Sequence, residues 1–237
     1  PEGPIVSVIL PTYNRPELLQ KVLAGFADQT VAKADFEIIV VDDGSEPPVR
    51  ELVERFSDRL NLTYLYQDNK GPAVARNRAI AAAKGRIALF SDDDDVPAPE
   101  LIAEHIRSHK QYPDERIAVL GQLDWHHSLQ VTTLMHYITH EGGQYFGFDH
   151  LQDGHFYDVW KWWVGLISAK MSLLKSIQGP FDERLHFGYE DTELACRLLS
   201  RGVKILYNAK ARSYILRSID FEGFCKRRYI QGRALYK

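Results

Sequence analysis

Three observations predict an α/β fold: a Rossmann-like, mostly parallel sheet flanked by helices, with a smaller lobe abutting it. Short apolar runs alternate with helical patterns through the N-terminal half of the chain, the order expected of strand–helix–strand units. The apolar runs are continuous rather than alternating, which fits strands covered on both faces and therefore parallel pairing. The chain has 237 residues, 45% of them hydrophobic, enough to bury one large core or two abutting lobes.

Ile5 to Leu10 reads as a buried strand that Pro11 stops. Pro16 opens a helix at a favoured first-turn position, with Leu18, Leu19, Val22, Leu23 and Phe26 on one face. Phe36 to Val41 is a second strand, rich in β-branched residues, that runs into Asp42-Asp43-Gly44-Ser45. A helix from about Pro48 to Phe56 and a weaker strand from Leu62 to Tyr66 follow. Ala73 to Lys84 is an alanine-rich helix ending at Gly85. Arg86 to Phe90 is a fourth strand, and it leads into Ser91 and the four aspartates Asp92 to Asp95.

Beyond residue 96 the pattern loosens. Pro99 to Tyr112 is predicted as a helix and Ile117 to Leu120 as a short strand. Residues 121–160 are rich in glycine, histidine and aromatics without a clear period, and Gly142-Gly143 and Gly147 mark loops. Asp158 to Ala169 reads as a strand pair or ribbon, and Ser172 to Ile177 as a helix. Glu190 to Arg201 is a helix capped by Gly202, Val203 to Tyr207 a strand, and Phe221 to Lys237 an amphipathic basic helix.

Composition narrows the function classes. Lys and Arg number 29 against 32 Asp and Glu, a formal charge of -3, so wholesale nucleic-acid binding lacks its driving force. Two cysteines, Cys196 and Cys225, build no disulfide framework, so a reducing, cytoplasmic compartment is expected. No apolar run reaches the roughly 18 to 20 residues of a membrane helix. Pro1-Glu2-Gly3-Pro4 has neither a basic segment nor an apolar stretch, so no signal peptide is expected, and the missing Met points to a trimmed chain.

Ligands of open parallel sheets bind beyond the carboxyl ends of the strands. Thr12 to Arg15, Asp42 to Ser45 and Asp92 to Asp95 all fall there. Four successive aspartates repel one another unless a cation binds or their pKa values rise. Their hard oxygens favour Mg²⁺ or Mn²⁺, and magnesium takes its other ligands from phosphates and water. A solvated acidic loop is the alternative. The glycine signatures of dinucleotide-binding and P-loop proteins are absent. Tyr189-Glu190-Asp191-Thr192-Glu193 opens a helix, where the acids either complement its dipole or present a general base to a cleft.

Ser7-Val8-Ile9-Leu10-Pro11-Thr12-Tyr13-Asn14-Arg15 resembles the opening strand and loop of family-two glycosyltransferases with the GT-A fold. Four further blocks match in order: Phe36 to Ser45, Gly71-Pro72-Ala73-Val74-Ala75-Arg76-Asn77, Phe90 to Asp95, and Gly179-Pro180-Phe181-Asp182-Glu183 through Tyr189-Glu190-Asp191. The resemblance covers residues 5 to about 207. It implies inverting transfer of a sugar from a nucleotide-diphosphate donor to a hydroxyl of a glycan, lipid or other acceptor, without nucleic acid. Pro11, Thr12 and Tyr13 would line the base and ribose, with Arg15 in the same loop. Asp43 would accept a hydrogen bond from the base, a contact suited to the N3–H of uracil, with Asp42 and Arg76 close by. Asp92 would lie towards the ribose and Asp94 towards Mn²⁺ or Mg²⁺, with the register leaving Asp92 and Asp93 in contention. Asp191 matches the catalytic base, with Glu190 beside it at the acceptor. Residues 1–95 would form the nucleotide-sugar half, 96–220 the acceptor and base half, and 221–237 a terminal helix.

Two departures from the family pattern stand out. Ala211 to Leu216 lacks the histidine that many relatives place near the metal or diphosphate, and Leu166 stands where asparagine is common. Trp162, Trp163 and Gly165 are candidate acceptor contacts, and strand alternation would put Trp160 and Trp162 on one face and Trp163 on the other. Six of nine histidines fall between residues 126 and 155 without a zinc spacing. Lys226, Arg227, Arg228 and Arg233 form a solvated face or a peripheral contact with the inner face of a membrane. The competing functions are nucleotidyl transfer, for which Thr12-Tyr13-Asn14-Arg15-Pro16 does not supply the Gly-rich, basic loop expected after the first strand, and a silent nucleotide- or carbohydrate-binding module.

Overall fold

A computed structural model describes residues 3–141, 147–185 and 188–234. Pro1, Glu2 and the predicted Gly142-Gly143 loop lie outside the described residues, as does the end of the C-terminal helix. The N-terminal half follows the predicted order. Strand β1 (Val6–Thr12) leads to helix α1 (Pro16–Ala27), which starts on Pro16 and buries Leu19, Val22, Leu23 and Phe26. Strand β2 (Phe36–Asp42) is buried at every position, as a strand covered on both faces must be. Helix α2 (Arg50–Glu54), strand β3 (Leu62–Tyr66), helix α3 (Pro72–Ala82) and strand β4 (Ile87–Phe90) complete this half.

The second half adds strand β5 (Asp95–Pro97), helix α4 (Leu101–Gln111), strand β6 (Ile117–Trp125) and helix α5 (Thr133–His136). Strands β7 (Phe156–Tyr157) and β8 (Ile167–Lys170), helices α6 (Met171–Lys175) and α7 (Glu190–Leu199), strand β9 (Lys204–Ile215) and helix α8 (Phe221–Ala234) follow. One sheet runs β3-β2-β1-β4-β8-β6-β9-β5, with β7 paired to β9. The first four strands are parallel; β8 enters antiparallel to both β4 and β6, and β5 antiparallel to β9.

Three readings of the second half are corrected. Strands β6 and β9 outrun their apolar segments because they pair with each other, so Gln122, Asp124, Lys210 and Arg212 extend them. Residues 158–169 form no ribbon: Val159–Lys161 is a tight helical turn and only β8 is a strand. The Trp pattern changes with it, since Trp162 is core and Trp160 is exposed.

Helix α4 is pinned to β8 by polar groups. His105 Nδ1 and His109 Nε2 each lie 2.8 Å from Ser168 Oγ. Burial pushes His105 down to about 3, and burial with the Lys170 charge pushes His109 down to about 2, so both imidazoles are neutral.

The register between β6 and β9 shifts next to Gly121. A Cβ there would overlap the Ala211 carbonyl oxygen and come within 2.8 Å of the buried Leu166 side chain. Gly121→Ala is therefore expected to destabilise the protein by about 1–3 kcal/mol. Denaturant unfolding checks this, and an unchanged midpoint would refute the close approach.

Candidate active site

The first two loops at the strand ends are tied to each other. Asn14, at φ 51°, turns the chain after β1. Its backbone N–H donates to Ser45 Oγ at 2.9 Å, and its Oδ1 accepts from the Glu46 N–H at 2.8 Å. Asp42 is fully buried and does not reach the cleft. Its Oδ1 accepts from the Ser45 N–H (2.8 Å), and its Oδ2 from the Val49 N–H (2.9 Å) and the Tyr64 hydroxyl (2.7 Å). The expectation of a nucleotide contact for Asp42 is thus corrected: this side chain shapes the loop.

Asp43 lies one residue beyond the strand and does line the cleft, alongside Pro11, Thr12 and Tyr13. Its carboxylate accepts from Gln67 Nε2 (2.7 Å), the Lys70 N–H (2.9 Å) and the Gly71 N–H (2.8 Å). A carboxylate has about four acceptor positions, so one is left for a ligand.

The four aspartates after β4 separate into two groups. Asp93 turns towards the first loop, accepting from Thr12 Oγ1 and Arg15 Nη1, both at 2.8 Å. Burial, opposed by the Arg15 charge and aided by Asp94, pushes its carboxyl up to about 6. Asp92, Asp94 and Asp95 each offer an oxygen, and these oxygens lie within 4.8 Å of one another. Burial first, then the charges of Asp94, Asp92 and Asp93, push the Asp95 carboxyl well above the usual carboxylate range. Gly165 borders this group, and a Cβ there would sit 3.3 Å from Asp95 Oδ2 and 3.4 Å from Asp92 Oδ2. An all-carboxylate donor set of this kind fits Mg²⁺ or Mn²⁺. Asp93 is outside it, and Asp95, which the sequence reading passed over, is inside it. Among the described residues the histidines form no comparable group.

Cations surround these acids. Asp94 Oδ2 accepts from Arg217 Nε at 2.7 Å and lies 3.5 Å from Arg15 Nη1. Arg76 spans the cleft: Nη1 donates to Glu190 Oε1 at 2.8 Å and Nη2 to Asp92 Oδ1 at 3.1 Å. Burial alone would lower the Arg76 pKa, but Asp92 and Glu190 outweigh it, so the group stays charged.

Opposite the aspartates, Gly188 (φ 88°) and Tyr189 (φ 65°) turn the chain left-handed twice in succession into α7. Glu190 and Asp191 stand in the first turn of that helix and line the cleft. Asp191 Oδ1 accepts from the Thr192 N–H at 2.8 Å. Burial and the neighbouring Glu190 charge raise the Asp191 pKa. Glu190 Oε2 is buried without a hydrogen-bond partner, an exposed cost unless a ligand supplies a donor.

One cavity of about 980 Å³ joins all of this: Tyr13, Asp43, Arg76, the four aspartates, Glu190 and Asp191 share its walls. Trp163 and Gly165 line it too, Trp163 packing edge-on against Phe148. Trp162 does not, because the tight turn before it directs its ring into the core, where it is 2% exposed. Leu166, also core, packs where a Gly121 side chain would go. Three of the four basic residues offered for a membrane surface, Lys226, Arg227 and Arg228, line the cleft. No helix among the described residues is long and apolar enough to cross a membrane.

Comparison with known proteins agrees with this geometry. Residues 7–162 match the family described as Glycosyl transferase family 2. A validoxylamine A glucosyltransferase of Streptomyces hygroscopicus subsp. limoneus is 37% identical over 108 residues, 45% of this chain and 24% of that protein. The poly(ribitol-phosphate) beta-N-acetylglucosaminyltransferase TarS of Staphylococcus aureus is 40% identical over 100 residues, 41% of this chain and 18% of that protein. The chain thus spans about a quarter or less of the length of these curated relatives. The structure of S. aureus TarS 1-349 in complex with UDP superposes with a TM-score of 0.70 at 22% identity, covering 98% of this chain and 65% of that one. The mannosyltransferase PcManGT from Pyrobaculum calidifontis, in complex with GDP-Man and Mn²⁺, does so with a TM-score of 0.68 at 21% identity, covering 99% and 65%. The family match extends from β1 to Trp162, through every strand that carries the aspartates, and the whole sheet superposes on these transferases: the chain belongs to glycosyl transferase family 2 and has the GT-A fold.

Proposed function

We propose that this chain is a metal-dependent, inverting glycosyltransferase that moves a sugar from a UDP-sugar to a hydroxyl of a glycan or lipid-linked acceptor, in polysaccharide biosynthesis at the cytoplasmic side. The observation that carries this is the single cavity in which Asp191 faces a strand-end group of three carboxylates and the first-loop residues. The UDP bound to TarS and the GDP-Man and Mn²⁺ bound to PcManGT support it.

Tyr13, 47% exposed, offers its ring to a base, and the remaining acceptor position on Asp43 suits a ring N–H such as that of uracil. Asp92, Asp94 and Asp95 would hold Mn²⁺ or Mg²⁺, which supplies charge neutralisation to a departing nucleoside diphosphate. Asp191 accepts the proton of the acceptor hydroxyl as that oxygen attacks the anomeric carbon from the face opposite the leaving group. Its raised pKa makes it a stronger base than an ordinary carboxylate. Glu190 Oε2 accepts a sugar hydroxyl, while Arg76 holds the other oxygen. Trp163 provides a flat apolar wall for the acceptor. A glycoside hydrolase would require a second, protonated carboxyl at the scissile bond, whereas a good leaving group makes one base sufficient.

Screening nucleotide sugars by thermal shift tests the reading. UDP-sugars should stabilise the protein in the presence of Mn²⁺ and lose that effect with chelator or in Asp94→Ala; stabilisation indifferent to metal would reject the metal group. Asp191→Asn should lower transfer by about 10²–10⁴-fold with UDP affinity within twofold, and calorimetry beside a turnover assay separates the two. The rate should fall as pH drops through the Asp191 pKa, since only the ionised carboxylate is a base, with a midpoint above the ordinary value of about 3.9. Glu190→Gln removes a like charge, so the midpoint should move to lower pH, and a shift upwards would contradict the assignment.

A further inference from the structure

Helix α8 borders the cleft without belonging to the core. None of its residues 221–233 is buried, yet Lys226, Arg227, Arg228 and Gln231 line the same cavity as Asp191. A Cβ on Gly188, which begins the turn into α7, would come within 2.9 Å of Gln231 Cγ. Arg228 Nη1 donates to Gln231 Oε1 at 3.3 Å, and its guanidinium lies 5.3 Å from the centre of the Phe224 ring. These contacts set the basic turn of α8 against the chain that carries Asp191.

A further cation reaches this side of the cleft from another element. The Val159–Lys161 turn packs on α7. Lys161 Nζ lies 5.1 Å from the centre of the Trp163 ring, the flat wall assigned to the acceptor. The acids deeper in the cleft already have their cations: Arg15, Arg76 and Arg217 match Asp92, Asp93, Asp94 and Glu190. Residues 221–233 hold four basic side chains against one acid, Glu222. Like charges gathered on one wall repel, and a neutral sugar, which asks for an apolar face and hydroxyl partners, does nothing to offset that. An anion does.

We propose that the acceptor is itself anionic, carrying a phosphate near the hydroxyl to be glycosylated, and that Lys226 of α8 and Lys161 beside Trp163 receive it. This rests on the reading of the chain as a glycosyltransferase with Asp191 as its base. Phosphate is the class these groups suit. An ammonium group is a compact charge with three rotatable donors that can approach a tetrahedral anion from any side, whereas a planar carboxylate is matched best by the guanidinium fork. The turns that carry both lysines abut α7, so an acceptor held by them lies on the side of the cleft where Asp191 can take its proton.

The test uses protein saturated with UDP and Mn²⁺, so that the groups serving a diphosphate are occupied. Calorimetry then compares a glycerol phosphate oligomer, an oligogalacturonate and maltohexaose, with phosphatidylglycerol vesicles in parallel. The wild type is expected to bind the glycerol phosphate oligomer about tenfold more tightly than either sugar oligomer, and less tightly as salt is raised. Replacing both lysines, Lys161→Gln with Lys226→Gln, should cost about tenfold in that affinity and leave UDP affinity within twofold. The pair Lys161→Arg with Lys226→Arg should keep most of it, which guards against a folding artefact. Equal affinity for maltohexaose, or an unchanged glutamine pair, would overturn the proposal; equal affinity for oligogalacturonate would overturn the choice of phosphate. A glutamine pair that loses UDP affinity instead would move the lysines to the donor side, and vesicle binding without oligomer binding would make α8 a lipid contact; each overturns it. In all these outcomes UDP still binds the wild type and the transferase reading stands. A wild type that binds no UDP would remove that reading and this inference together.

Discussion

Mutual repulsion among carboxylates at one strand end governs the organisation of the cleft. Two like charges 4.8 Å apart cost about 3 kcal/mol at an effective dielectric near 20. Three such oxygens, from Asp92, Asp94 and the buried Asp95, need compensation from fixed cations. Arg15, Arg76 and Arg217 supply it from three separate segments, and each guanidinium also links the acids to another wall. Arg15 joins Asp93 and Asp94 to the first loop, Arg76 joins Asp92 to Glu190 at the start of α7, and Arg217 joins Asp94 to the end of β9.

The fold makes that arrangement cheap to hold. Continuous apolar strands fix β1, β2 and β4 side by side, so the loops that leave them meet at one rim. Internal hydrogen bonds of Asn14, Asp42 and Asp43 then preset these loops before any ligand arrives, which reduces the ordering cost of binding. The reversal of strand direction at β8 carries the chain to the far wall, where Gly188 and Tyr189 aim the first turn of α7 back across the cleft.

The N-terminal half of the fold was legible in the residues because strands buried on both faces are continuous in apolar side chains. The rim clusters were legible because such sheets bind ligands at their carboxyl ends. Asp42 and Asp43 look alike in a line of letters, yet Asp42 still belongs to the strand, paired with Thr12, and turns inward. Trp162 was misassigned because a period of two was applied to a tight helical turn. Arg217 left no local signal: its contact with Asp94 is created by sheet pairing. The cleft-facing side of α8 was hidden for the same reason, since basic residues on a helix read identically whether they meet water, lipid or an acidic trough.

The two neutral imidazoles that share Ser168 bear on how the protein tolerates acid. Unfolding frees His105 and His109 to take up protons near the ordinary histidine value of about 6.5, whereas the native packing refuses them until about 3 and about 2. Native stability therefore drains away as pH drops below about 6.5. Acidification thus loosens the sheet's centre from within, a change that circular dichroism follows.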